Sequence, residues 1–288
     1  MTTENSKIVG GTGRRISLAV KTVLTALLLI VYLFPFYMII LNSFKVKRDI
    51  IKQPLAWGGK HGLSFDNYVE AFKKMDYLSA VGNSLLITCC SVALIILFSS
   101  MAAYLFVRTT WKVCGIMFTV MIFSMVIPFQ VVMIPLVSIY CVMLHILTHR
   151  WPLIFMHLGF SVSMSVFMYH GFIRSSVPIS LEEAAGIDGA SPFRTFWQIV
   201  FPLLKPITAT LVILYVLAIW NDYLLPSLIL KKGMYTLPLA TNAFYGTHSN
   251  DLDLLLAALV MTIIPIILLY IALQKYIIQG VVAGAVKS

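Results

Sequence analysis

From Thr22 to Leu41 no position carries a charge, and only Thr, Tyr and Pro interrupt the hydrophobes. A helix of about 20 such residues matches the roughly 30 Å hydrocarbon layer of a bilayer. Inside lipid each backbone N–H and C=O has to be satisfied within the segment, so runs of this kind are expected to be helical. Comparable runs cover Ala80–Val107, Val113–Ile127, Trp151–Ile173, Ile207–Leu225 and Leu254–Ile278. The chain is therefore expected to be an all-α integral membrane protein with about six transmembrane helices. Composition agrees, with 60% hydrophobic residues, 11% charged residues and a mean hydropathy of +0.93. The first run is longer than the apolar part of a signal peptide and no A-x-A-like site follows it, so it reads as an uncleaved span. The net charge of +10 is scattered between apolar runs rather than gathered with stacking aromatics, which points to membrane lipid as the partner and not to nucleic acid.

The segments between the runs divide the chain. Residues 1–16 are polar and read as a flexible terminus; Gly10-Gly11-Thr12-Gly13 has no following Lys-Ser/Thr and is not a phosphate loop. Residues 17–278 form one six-span membrane domain, and residues 279–288 a tail. The loop over 42–80 is basic and long enough to hold structure of its own. The run from Val113 to Ile146 is too long for one straight helix and is broken by Pro128, Gln130 and Pro135, so it is expected to kink into a partly embedded segment. His145 and His149 are four apart but lack a third ligand nearby and read as an interface loop, with no metal. Cys89, Cys90, Cys114 and Cys141 lie in or beside apolar runs and read as small core residues.

One polar stretch, Ser180 to Pro206, is punctuated for helices. Ser180 and Glu183 fit a capping box that opens a short helix, and Ala184 and Ala185 give it a surface that a partner can approach closely. Asp188-Gly189 is a turn signal. Ser191 followed by Pro192 caps a second helix, whose Phe193, Phe196, Trp197, Val200 and Phe201 recur on one face until Pro202 and Pro206 stop or kink it. In the fifth run, Trp220-Asn221-Asp222-Tyr223 brings a carboxylate near the membrane, where charge is expensive and faces the bundle interior or an aqueous cavity.

Glu182, Glu183, Ala184, Ala185, Asp188, Gly189, Ser191, Pro192, Ile199 and Pro202 together resemble the EAA loop of binding-protein-dependent ABC importer permeases, in the extended form of the carbohydrate-uptake class that includes the maltose permease. Phe201 stands where that family usually has Leu. Asn42-Ser43-Phe44-Lys45, Phe65-Asp66-Asn67-Tyr68, Pro128-Phe129-Gln130 and Ile134-Pro135-Leu136 are similar to the same family, as is the glycine-containing end with Gln279, Gly280 and Gly284. The resemblance implies a type I ABC importer transmembrane domain. Residues 182–202 would form the coupling loop against a cytoplasmic ABC ATPase dimer. The tail, with both termini cytoplasmic in a bacterial cell membrane, would reach the same ATPases. It also implies a second permease subunit in a heterodimer, an extracytoplasmic solute-binding protein, and a sugar or oligosaccharide as substrate.

No cofactor is expected on this chain, which has no ATPase motif and is not an enzyme; ATP and Mg would act through the partner subunit. Gln130, Tyr215, Trp220, Asn221 and Asp222 are candidates for the translocation path or gate, with a structural lock at Asp222 the competing reading. Glycerol-phosphate or a polyol is the alternative substrate, and a secondary transporter the alternative of another class. The latter would need ion-coupling groups and inverted repeats that are not evident. Lys and Arg divide almost evenly between the two sides of a six-span model, so charge alone does not orient the chain.

Overall fold

The apolar runs become helices in the computed structural model, which describes residues 12–146, 149–244 and 251–285, without the side chains of 12–15, 141, 142, 273 and 275–285. Two units can be distinguished, one from residues 1–71 and 246–260 and the other from 72–245 and 261–288.

In the first unit, α1 (Thr12–Ser43) begins inside the stretch read as a flexible terminus, so residues 12–16 are helical. Residues 1–11 lie outside the described part. The Thr22 and Thr25 hydroxyls donate to the carbonyls of Leu18 and Lys21, which hides their polarity within the helix. After α1 come α2 (Lys47–Lys52) and the start of α3 (Asp66–Lys74). The loop is built on a buried polar clasp. Lys45 is fully buried, and its ammonium donates to Asn42 Oδ1 at 3.0 Å and to the carbonyls of Gln53 and Pro54 at 3.2 and 3.1 Å. Burial holds the Lys45 pKa below its ordinary value, against the pull of Asp49. Asn67 donates to the carbonyls of Ser43 and Lys45, both at 2.9 Å, while Phe44 packs on Phe65 and Tyr68. The two short motifs of this loop thus hold one another. Asp49 accepts from the backbone and ring of His61, and the backbone N–H of His61 is the main cause that keeps its carboxyl below the usual range. A side chain at Gly59, which has φ +59°, would collide with the Asp49 carboxylate.

The second unit is organised on α4 (Tyr77–Arg108), 32 residues with no proline, which packs along α7 (Arg150–Ser176) and α11 (Lys205–Trp220). Small residues on α4, among them Ala80, Ser91, Ser99 and Ala103, are buried and let the neighbouring helices approach closely. Ile87, Ile95, Leu153, Val166, Tyr169, Ile173, Leu204 and Leu211 form the fully buried core between these helices. Polar pairs tie α7 to α11: Tyr169 with Thr208 at 2.8 Å, and Tyr215 with Ser165 and the Ser161 carbonyl at 2.8 and 3.0 Å.

The long third run is broken as expected. α5 (Lys112–Ser124) and α6 (Phe129–Val137), which continues as a π-helical turn over Ser138–Met143, bend by 99° at the residues before Pro128. His145 has φ +52° and His149 is extended, so the two do not share a helix face. Cys114 is buried, whereas Cys89 and Cys90 point outward, contrary to their reading as core residues. Packing of α4 on its other face, not side-chain size, decides this.

The fifth span also departs from expectation. α11 ends at Trp220, and its 16 residues rise only about 24 Å. Asn221–Tyr223 is a turn, followed by α12 (Leu224–Ile229). Beyond it, the stretch between the fifth and sixth apolar runs contains α13 (Leu237–Ala240) and a 3₁₀ turn (Thr241–Phe244), with Leu237, Leu239 and Phe244 buried. α14 (Leu252–Ala285) carries Pro265 and continues past Ile278 into the stretch read as a tail. Gln279, Gly280 and Gly284 lie on that extension, their surroundings outside the described side chains. Among the described residues, α1, α4, α7 and α14 are long and apolar enough to cross a membrane, and the two bent pairs raise the number to six if each is one span.

Candidate coupling surface

The helix that carries the EAA sequence is α8 (Ile179–Ile187), and it starts earlier than the capping box suggested. Pro178, at φ −63° and ψ 133°, occupies the cap position, and no side chain caps the helix. Ser180 is therefore already inside the first turn, and Glu183 points outward rather than back. The helix ends on a tight turn: Asp188 N bonds to the Ala184 carbonyl at 3.1 Å, Gly189 N to Gly186 at 3.0 Å and Ala190 N to Ala185 at 2.9 Å. Gly189 has φ +77°, a left-handed conformation that costs other residues with a Cβ about 1–2 kcal/mol.

Ser191 then caps α9 (Pro192–Thr195), accepting from Arg194 N at 3.3 Å, with Pro192 in the first turn. A π-helical turn (Phe196–Val200) and α10 (Phe201–Leu203) follow, and the chain bends by 74° at Leu204 into α11. Phe196, Val200 and Leu204 are buried in the core, so the hairpin is seated on the bundle by its own apolar face.

The predicted coupling residues divide into two sets. Ala185 is buried and Ile199 half-buried, and Glu182 faces inward. Glu183, Ala184, Asp188, Gly189, Ser191, Pro192 and Pro202 are exposed, together with Ile187 at 88% and Phe193 at 66%. The outer set thus exposes two large apolar side chains, Ile187 and Phe193, together with the carboxylates of Glu183 and Asp188.

Glu182 has partners that the sequence did not announce. Its Oε1 accepts from Arg108 Nε at 2.8 Å and is ion-paired with Nη2 at 2.7 Å, and its Oε2 accepts from the Tyr104 hydroxyl at 2.9 Å. Arg108 Nη2 also donates to the Val177 carbonyl at 2.9 Å. Hydrogen bonds of this charged kind contribute about 1.5–3 kcal/mol each. In the sequence Arg108 is no more than the residue that follows the second apolar run, and a pair separated by so much chain leaves no local pattern.

The candidates for the translocation path are not brought together. Gln130 is exposed on α6, and Tyr215 is engaged between α7 and α11. Trp220 is buried, and exposed Asn221 caps the end of α11 by bonding to Leu217 O at 2.8 Å. Asp222 Oδ1 accepts from the backbone of Leu224 and Leu225 at 3.0 and 3.3 Å and so caps α12, while its Oδ2 lies 3.9 Å from His157 Nε2. This geometry fits a structural lock at the turn.

A model of the family described as "Binding-protein-dependent transport system inner membrane component" matches residues 95–282. The "Probable starch degradation products transport system permease protein AmyC" of Thermoanaerobacterium thermosulfurigenes is 42% identical, over 93% of this chain and 96% of its own length. The "Melibiose/raffinose/stachyose import permease protein MelC" of Bacillus subtilis is 38% identical, over 94% and 98%. A chain of a bacterial ABC transporter involved in the import of alginate superposes with a TM-score of 0.78 at 21% identity, covering 92% of this chain and 98% of that one. From its sixfold apolar pattern to the helical hairpin between its fourth and fifth spans, the chain belongs to the binding-protein-dependent transport system inner membrane component family.

Proposed function

We propose that this chain is a permease subunit of an ATP-driven importer of a sugar or oligosaccharide in a bacterial cytoplasmic membrane, with both termini in the cytoplasm. The observation that carries the reading is the hairpin of α8 and α9, whose buried face seats it on the bundle while Glu183, Ile187, Asp188 and Phe193 face outward. That outer face is the docking surface for an ABC ATPase dimer, which supplies ATP hydrolysis and Mg. The sugar reading is supported by the substrates in the names of AmyC and MelC. A second, different permease completes the pore, and an extracytoplasmic binding protein delivers the solute. When ATP closes the ATPases the hairpins move with them, and the bundle exchanges inward- for outward-facing access. Differential contact in the two states is what does the work, since a hairpin bound equally well in both could shift nothing.

The test is to tag the chain in its native host, extract it in mild detergent and identify the stoichiometric partners. An ABC ATPase and a second permease are expected, and Glu183→Lys should reach the membrane but lose the ATPase. Recovery of the chain alone, with uptake unaffected by ATP depletion, would overturn the proposal in favour of a secondary transporter.

A further inference from the structure

α4 is tied to the docking hairpin at one end and to the segment over residues 235–244 at the other. At its last residue Arg108 grips Glu182 of α8 and the Val177 carbonyl just before it, and one turn earlier Tyr104 holds the second oxygen of the same carboxylate. The side chains of Arg108 and Glu182 are only 17% and 11% exposed, so water competes little for the pair. Near its start, Asn83 Nδ2 donates to the Tyr235 carbonyl at 3.0 Å and Ser84 Oγ accepts from Leu237 N at 2.8 Å. From Asn83 to Arg108 the helix rises about 37 Å at roughly 1.5 Å per residue, and no proline interrupts it. The segment it holds at that end lines one wall of an open cavity of about 470 Å³, bordered by Lys74, Asp76, Asn83, Lys232, Tyr235 and Ala243.

We infer that α4 is a push-rod that carries displacement of the docking hairpin to the segment over residues 235–244, and that Arg108 is the positioning residue that couples it. The inference rests on the docking reading above. It requires a charged, doubly satisfied joint at the inner end, because a single weak contact would slip before moving a helix packed along two others. The Arg108–Glu182–Tyr104 cluster meets that requirement. In such a low-dielectric setting a satisfied polar cluster is stronger than in water, which suits a joint that has to hold while a rigid element moves.

The experiment uses the complex purified with its ATPases and reconstituted in nanodiscs, with the native cysteines replaced by alanine and Ala243→Cys as reporter. Three quantities are read: ATPase recovered, ATP hydrolysed, and the rate at which a charged maleimide labels position 243 without nucleotide and with ATP–vanadate. With Arg108 intact, the two labelling rates should differ by about fivefold or more, the lower end of ordinary coupling factors. Arg108→Gln should keep the ATPase and its hydrolysis yet bring the two rates within about twofold of each other. The exchanged pair Arg108→Glu with Glu182→Arg should restore much of the difference, and Tyr104→Phe, which leaves the ion pair in place, should lower it partway.

An unchanged difference in Arg108→Gln would overturn the inference, as would the absence of any difference with Arg108 intact. Loss of the ATPase from Arg108→Gln would also overturn it, since Arg108 would then only be shaping α8. If Arg108→Gln fails to reach the membrane, Tyr104→Phe decides, and a wild-type response there counts against the joint. Failure of the ATPase to copurify with the unaltered chain would instead sink the docking reading itself.

Discussion

Two breaks beside prolines bend this chain sharply, one between α5 and α6 by 99° and one between α10 and α11 by 74°. They differ in what covers them. α6 has no buried residue, whereas the second break is flanked by Phe196, Val200 and Leu204, all at 3% exposure or less. Proline decides where a helix must stop, but burial decides whether the resulting angle is fixed. The first break is held by partly buried groups, Phe129, Leu136 and Tyr140 against the core and the Ser124–Ser163 hydroxyl pair at 2.9 Å. The second is an elbow whose angle is set by packed side chains, as the docking proposal requires of it.

If that contrast is right, truncating the elbow should cost far more than truncating α6. Phe196→Ala removes a fully packed ring and is expected to destabilise the chain by about 3–5 kcal/mol, read as loss of monodisperse protein on heating in mild detergent. A cost no larger than that of a surface change would break the comparison. Gly189→Ala has open space for its methyl, so only the backbone conformation at φ +77° resists it, and a loss of about 1–2 kcal/mol is expected. The same assay on Gly189→Asn, which tolerates that conformation better, should recover part of the loss. Removing the Ser191 cap by Ser191→Ala should cost about 0.5–1 kcal/mol, towards the low end for caps because its bond is long at 3.3 Å. At the other break, Ile134→Ala on α6 should shift stability by no more than about 0.5 kcal/mol, Ile134 being 71% exposed. A large loss there would mean that a partner chain covers this face in the assembly under test.

How much of this was legible beforehand follows from the range of each interaction. The spans were readable because hydropathy over about 20 residues is a local signal. So were the turn at Gly189, announced by Asp188, and the second helix start at Ser191-Pro192. The start of α8 was misread because Ser180 and Glu183 matched a cap, while Pro178 two residues earlier already took that position. The clasp of Asn67 on the chain at Ser43 and Lys45 was half legible, since both motifs stood out but not their contact. The joint of Arg108 with Glu182 was not legible at all, nor was the burial of Leu237, Leu239 and Phe244 in a segment too short to display a period. Those features depend on which helices meet, and a run of hydrophobes that satisfies lipid says nothing about its neighbours.

The exposure of Ile187 and Phe193 has a consequence for the life of the subunit before any transport occurs. If the proposed docking surface is right, a newly inserted copy would display two large apolar side chains until its partner covers them, and such surfaces invite aggregation and capture by quality-control proteases. On the docking proposal, supply of the soluble partner would then set the lifetime of the membrane one. Cells short of ATPase should clear the orphaned permease, and the stoichiometry of the finished complex would then be kept by degradation as much as by synthesis.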